Sequence, residues 1–154
     1  MTRLKIVSGG QTGVDRAALD VALAQGLPVG GWCPRGRRAD DGRIPDRYPL
    51  TETPEADYDT RTRRNVEDSD GTLILNQGPL DGGTALTVDD ARRVGQPCRV
   101  VALETGIEPA AFRAWLDAQR IAVPNVAGPR ESQRPGVYAA AYRRLEALWR
   151  QAGA

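Results

Sequence analysis

Two glycine-rich stretches hold the residues best suited to gripping a ligand. They are Ser8-Gly9-Gly10-Gln11-Thr12-Gly13-Val14-Asp15-Arg16 and Asn76-Gln77-Gly78-Pro79-Leu80-Asp81-Gly82-Gly83-Thr84. Each follows a short aliphatic run, Leu4-Lys5-Ile6-Val7 or Gly71-Thr72-Leu73-Ile74-Leu75, and precedes a segment with apolar residues at helical spacing. That order reads as strand, tight turn, helix. A helix begun in this way offers free backbone N–H groups and a partial positive charge to an anion. Gly9, Gly10, Gly13, Gly82 and Gly83 permit close approach to the backbone, and Thr12 and Thr84 add hydroxyl donors. The alternative at each turn is purely structural, a tight reversal with no ligand. Two such units in so short a chain favour an anion-binding crevice. Neither stretch is the dinucleotide fingerprint or a P-loop. Asp15, in the first helical turn, is either an acceptor for a ligand group or a capping carboxylate favoured by the helix dipole.

The remaining chemistry is cationic. The chain has no histidine, which removes Ser-His-Asp and Cys-His hydrolysis, histidine acid–base catalysis and the usual zinc sites. No metal site is expected. Lys5 is the only lysine, so nearly all the positive charge is arginine, whose planar fork suits phosphate. Arg61, Arg64 and Asp68 recur at i, i+3 and i+7, on one face of a helix. A third polar turn, Gly128-Pro129-Arg130-Glu131-Ser132, adds Arg130 and Ser132. The net charge of +1 supplies no general field for nucleic acid or an anionic membrane. No run approaches ~18 consecutive apolar residues, and the N-terminus lacks a signal-peptide pattern, so a soluble cytoplasmic protein is expected. Cys33 and Cys98 form no C-x-x-C motif and suit reduced thiols.

These residues need a scaffold. The first helix carries Val14, Ala17, Ala18 and Val21, widened by Leu19 and Leu23, and Gly26 ends it. Leu27 to Trp32 reads as a short strand. Asp57 to Ser69 is a helix with little apolar surface beyond Tyr58 and Val66. Leu86, Ala91 and Val94 give the helix after Gly83 a modest apolar side. Strands follow at Arg99–Leu103 and Ile121–Val126, with a helix opened by Pro109 between them. Val137, Ala141, Leu145 and Leu148 stripe the last helix. Alternation of strands and helices predicts right-handed crossovers and a mainly parallel sheet covered on both faces. All three polar turns then lie at its carboxyl edge, where open α/β sheets bind ligands. At 154 residues one domain spanning 1–154 is expected. A long arm at about 33–55 shows neither helical nor strand periodicity and reads as a lid, a binding loop, an interface segment or a solvated arm packed by Ile44, Tyr48 and Leu50.

Gly9-Gly10-Gln11-Thr12-Gly13-Val14-Asp15-Arg16, the arm from Gly31-Trp32-Cys33-Pro34-Arg35-Gly36-Arg37 through Asp41-Gly42-Arg43-Ile44-Pro45, and Gly82-Gly83-Thr84 together resemble the molybdenum (molybdenum cofactor) carrier family. That family belongs to the Rossmann-like superfamily of the Lonely Guy phosphoribohydrolases and the DNA-processing proteins. The resemblance implies a three-layer Rossmann-like α/β fold and, against the Lonely Guy order, a circular permutation. The relatives' motif P-G-G-x-G-T-x-x-E reads here Pro79-Leu80-Asp81-Gly82-Gly83-Thr84-Ala85-Leu86-Thr87. Their catalytic glutamate is Thr87 and their lysine is Asn65. Thr87 cannot serve as a carboxylate base, so the expectation leans towards binding rather than catalysis. The implied ligand is a phosphorylated, ring-containing small molecule, either molybdenum cofactor (a pterin) or a nucleotide. The implied site is Gly9, Gly10, Gln11, Thr12, Gly13, Asp15, Arg61, Arg64, Gly82, Gly83, Thr84, Arg130 and Ser132. A nucleotide N-glycosidase using Asp15 is the rival expectation. Single-stranded DNA binding ranks last, given the near-neutral charge and lack of an aromatic platform. A homo-oligomer is implied by analogy alone.

Overall fold

A computed structural model describes residues 3–152. The chain runs β1 (Ile6–Val7), α1 (Val14–Ala24), β2 (Val29–Gly30), β3 (Trp32–Cys33), β4 (Arg38–Ala39), β5 (Gly42–Arg43), β6 (Thr51–Glu52), α2 (Tyr58–Glu67), β7 (Gly71–Asn76), α3 (Gly82–Arg93), β8 (Cys98–Ala102), α4 (Pro109–Gln119), β9 (Pro124–Ala127) and α5 (Val137–Ala152). Five strands form one parallel sheet in the order β2-β1-β9-β7-β8. The crossovers β1-α1-β2 and β7-α3-β8 run outward in opposite directions. Right-handed crossovers of opposite direction place their helices on opposite faces. Accordingly α1 and α4 pack with α5, and α2 packs with α3. The result is a three-layer Rossmann-like α/β fold.

The main core is the expected one. Val14, Ala17, Ala18 and Val21 of α1 meet Val137, Ala141, Leu145 and Leu148 of α5 over Ile6, Leu73, Leu75 and Val126 of the sheet. Two expected apolar positions lie outside it: Leu23 and Val94 are exposed. Leu19 points elsewhere, into a second cluster with Cys33, Ile44, Tyr48 and Leu50. The arm is therefore packed onto the free side of α1 by its own small core.

The strand expected at Leu27–Trp32 is split. Val29–Gly30 joins the main sheet, while Trp32–Cys33 pairs in parallel with Thr51–Glu52. The break falls at Gly31, whose φ of 132° suits glycine and whose Cβ would strike the Ser8 carbonyl. The last strand begins at Pro124, later than expected, because the Ile121 N–H donates to the Leu116 carbonyl at the end of α4.

Arg37 organises the arm. Its φ is 55°, and its buried guanidinium donates to the carbonyls of Ile44 (2.9 Å), Leu50 (3.2 Å), Pro45 (2.8 Å) and Tyr48 (2.8 Å). One side chain thus ties together four carbonyls of the irregular chain, of which Pro45 and Tyr48 also accept from the N–H groups of Tyr48 and Leu50. Among the described residues no helix is long and apolar enough to cross a membrane.

Candidate functional site

The turns after β1 and β7 do meet at one crevice at the carboxyl edge of the sheet, beside the point where strand order reverses. Its walls include Gln11, Asp15, Tyr58, Arg61, Gly83, Thr84, Thr87 and Arg130. The two glycine turns contribute differently.

In the first turn the glycines make room for protein. A Cβ at Gly9 would collide with the Arg61 guanidinium, and one at Gly10 (φ 79°) would press on Leu50 and Ile44. One at Gly13 (φ 85°) would strike the backbone of Pro129 to Glu131. The Val14 N–H already donates to the Pro129 carbonyl (3.2 Å), and Thr12 Oγ1 accepts from the Glu131 N–H (3.3 Å). This turn is a rigid buttress that stitches the segment after β9 to the start of α1.

The second turn is open. A Cβ at Gly83 would meet nothing within 4 Å. No side chain caps α3, because Asp81 makes no capping bond and faces Arg134 instead (3.3 Å). The first N–H groups of a helix have no carbonyl one turn earlier, so this end borders the crevice with unused donors.

Two further donors lack partners. Gln11 is 6% exposed; its Oε1 accepts from the N–H groups of Thr12 and Asp40 (both 2.9 Å), while Nε2 is buried and unpartnered. Arg61, reaching in from α2, donates through Nη1 to Asp15 Oδ2 at 3.3 Å, and its buried Nε has no acceptor. Burial pushes the Asp15 carboxyl up to about 6, against the pull of Arg61, the Gln11 backbone, Arg16 and Arg130.

Tyr58, which opens α2, gathers the cations. The guanidinium carbons of Arg38, Arg61 and Arg130 lie 5.0, 5.3 and 5.2 Å from its ring centroid, within cation–π range. Tyr58 and its neighbours Asp59 and Thr62 line the crevice although they are not among the residues expected there from the sequence. The available signal was that α2 has too little apolar surface to be held only by packing.

Not every expected site residue reaches the crevice. Arg64 stacks over Trp32 at 4.8 Å, and Trp32 Nε1 donates to Asp68 (2.6 Å), so that face of α2 serves the arm. Ser132 Oγ donates to Asp40 Oδ2 (2.9 Å). Asn65 clips β3, accepting from the Trp32 N–H (2.7 Å) and donating to its carbonyl (3.0 Å). Thr87 does line the crevice, but its hydroxyl donates to the Gly83 carbonyl (2.8 Å). Among the described residues no three or more His, Cys, Asp or Glu side chains are grouped so as to hold a metal ion.

A parallel sheet between two helical layers, with a crevice lined by Asp15, Asp59, Arg61 and Arg130 at its carboxyl edge, places the chain among Rossmann-like α/β proteins. The chain belongs to the circularly permutated YpsA SLOG family, whose model matches residues 6–149. It is 45% identical to a crystallised protein named "Putative molybdenum carrier protein" from Syntrophus aciditrophicus SB. That likeness covers 96% of this chain and 95% of the other, with a TM-score of 0.89. No curated protein matches the chain.

Proposed function

We propose that this protein binds a phosphorylated, ring-containing small molecule, a nucleotide or a phosphorylated pterin such as molybdenum cofactor. One observation carries this. Two buried donors without partners, Gln11 Nε2 and Arg61 Nε, belong to side chains bordering the same crevice as the uncapped start of α3. Buried donors left unpaired cost stability unless a ligand or water completes them. The phosphate would sit at Gly82, Gly83 and Thr84, neutralised by Arg61 and Arg130. The likeness to a molybdenum carrier is what brings the pterin into the ligand class. Such a ligand would be held here by its phosphate and ring, not through metal ligation. We further take the protein to be cytoplasmic, from the sequence pattern, and to self-associate, by analogy alone.

The test is mass spectrometry of whatever co-purifies with gently isolated protein, followed by titration with nucleoside monophosphates and phosphorylated pterins. A phosphate-bearing ligand in the crevice is expected. Failure of every phosphate-bearing compound to bind overturns the proposal.

A second reading draws on Asp15, a buried carboxyl raised to about 6 beside the crevice. That value suits a general acid or base near neutral pH, as cleavage of a nucleotide's N-glycosidic bond requires. Nucleobase release by the wild type that disappears in Asp15→Asn, with binding retained, would favour this enzyme over the carrier.

A further inference from the structure

Asp15 has a neighbourhood suited to more than holding Arg61. It is 4% exposed, and the distance of 3.3 Å to Arg61 Nη1 is long beside the roughly 2.7–2.9 Å of a strong charged hydrogen bond. The guanidinium is only partly committed, since its Nε is unpartnered. The charges around Asp15 come from several elements. Arg61 reaches it from α2, Arg130 from the turn after β9, and Arg16 from its own helix. Arg16 is already engaged by Asp41 (3.0 and 3.1 Å), and Arg130 by Asp40 (2.8 Å). Asp59 and Tyr58 border the same crevice from α2, while α3 contributes the neutral Thr84 and Thr87. Asp15 therefore shares its crevice with donors that await an anion.

We infer that Asp15 sets the ligand class of this crevice: it takes up a proton when a terminal phosphate dianion binds, leaving Arg61 free to turn to the ligand. The inference rests on the phosphate-binding function proposed above. A buried carboxylate and a phosphate dianion cannot both stay ionised beside one guanidinium without mutual repulsion. Protonation of Asp15 is the local remedy, and its carboxyl already sits near 6. The neutral acid then donates a hydrogen bond where the carboxylate would repel. A phosphodiester, with one charge, drives this exchange less, so the crevice selects phosphomonoesters.

Calorimetric titration of the wild-type protein with adenosine monophosphate at pH 7.5, in two buffers of different ionisation enthalpy, counts the protons. The second ionisation of a phosphomonoester lies near pH ~6, so at pH 7.5 the ligand has almost no proton to give up. Uptake of about half a proton or more per ligand is expected, with affinity falling several-fold from pH ~7 to ~8.5. Cyclic adenosine monophosphate, a diester, should bind more weakly with less uptake. Asp15→Asn should bind adenosine monophosphate with no uptake and a flat pH profile. If that variant fails to fold, the wild-type proton count decides alone. Binding with uptake below about a tenth of a proton overturns the inference and leaves phosphate binding standing. Absence of binding by adenosine monophosphate and every other phosphomonoester removes both.

Discussion

Asp40, at the tip of the arm, holds Arg130, at the edge of the crevice: Oδ1 accepts from Nη1 at 2.8 Å, across 90 positions of sequence. Its backbone N–H also donates to Gln11 Oε1, and its other carboxylate oxygen accepts from Ser132. The arm therefore supplies an internal anion that engages Arg130, one of the cations lining the crevice. Replacing Asp40 by Asn keeps the shape and removes the competing charge. Affinity for adenosine monophosphate should rise roughly two- to fivefold, matching the up to about 1 kcal/mol of a partly exposed ion pair. An affinity drop would instead assign Asp40 the task of positioning Arg130.

The two glycine turns predict opposite outcomes for the same small substitution. In Gly9→Ala the new methyl collides with the Arg61 guanidinium and must push it off Asp15, so anion binding should fall at least tenfold. In Gly83→Ala the methyl enters open space, and a Gly-to-Ala change at a helix start is neutral or stabilising by up to about 1 kcal/mol. Gly83→Val, by contrast, fills the approach to the α3 N-terminus and should abolish binding with thermal stability retained. Equal binding by all three variants would place the ligand elsewhere.

Asp20 joins the arm to α5, accepting from Tyr48 Oη (2.5 Å) and Tyr138 Oη (2.6 Å). Burial, and then the bond to Asp20, pushes Tyr48 up to about 12 and Tyr138 higher still. Since both folded values lie above the unfolded value near ~10, their contribution to stability is complete below that pH. It is lost as pH rises through the folded values. In an alkaline absorbance titration these two of the four tyrosines should hold their protons until the protein unfolds, and Asp20→Asn should bring their ionisation down towards ~10. Simultaneous ionisation of all four near ~10 in folded protein would contradict this bond network.

Much of this architecture is legible in local pattern, and the exceptions have physical causes. The buried run Thr72–Leu75, the Val137–Leu148 stripe and Pro109 at the start of α4 express local preferences that packing reinforces. The arm does not. Its paired segments are two residues long, and what holds it is Arg37 binding four carbonyls spread over Ile44 to Leu50, a non-local arrangement without periodicity. The convergence of Gln11, Asp15, Arg61, Gly83 and Thr84 on one crevice follows from strands ending at one sheet edge. What spacing hides is how each glycine is used. Gly13 and Gly83 look alike in sequence, yet one is filled by backbone and the other is open. Arg64 shares a helical face with Arg61, but the aromatic surface of Trp32 captures it first.

The position of β9 has a bearing on how the protein is made. It lies between β1 and β7, so the pairs β2-β1 and β7-β8 have no hydrogen bonds to each other until residues 124–127 insert. The middle of the sheet is the last strand in chain order among the described residues, and each of its strand pairings closes a loop of some 50 residues or more. Such long-range pairing is slow, because loop entropy is lost before the contacts reward it. A nascent chain therefore has two unjoined half-sheets from the completion of β8 until β9 is made. Arg130 and the Pro129 carbonyl that anchors α1 emerge only after β9. Completion of the crevice thus depends on the insertion of β9, since Ala127, Gly128 and Arg130 form part of its wall.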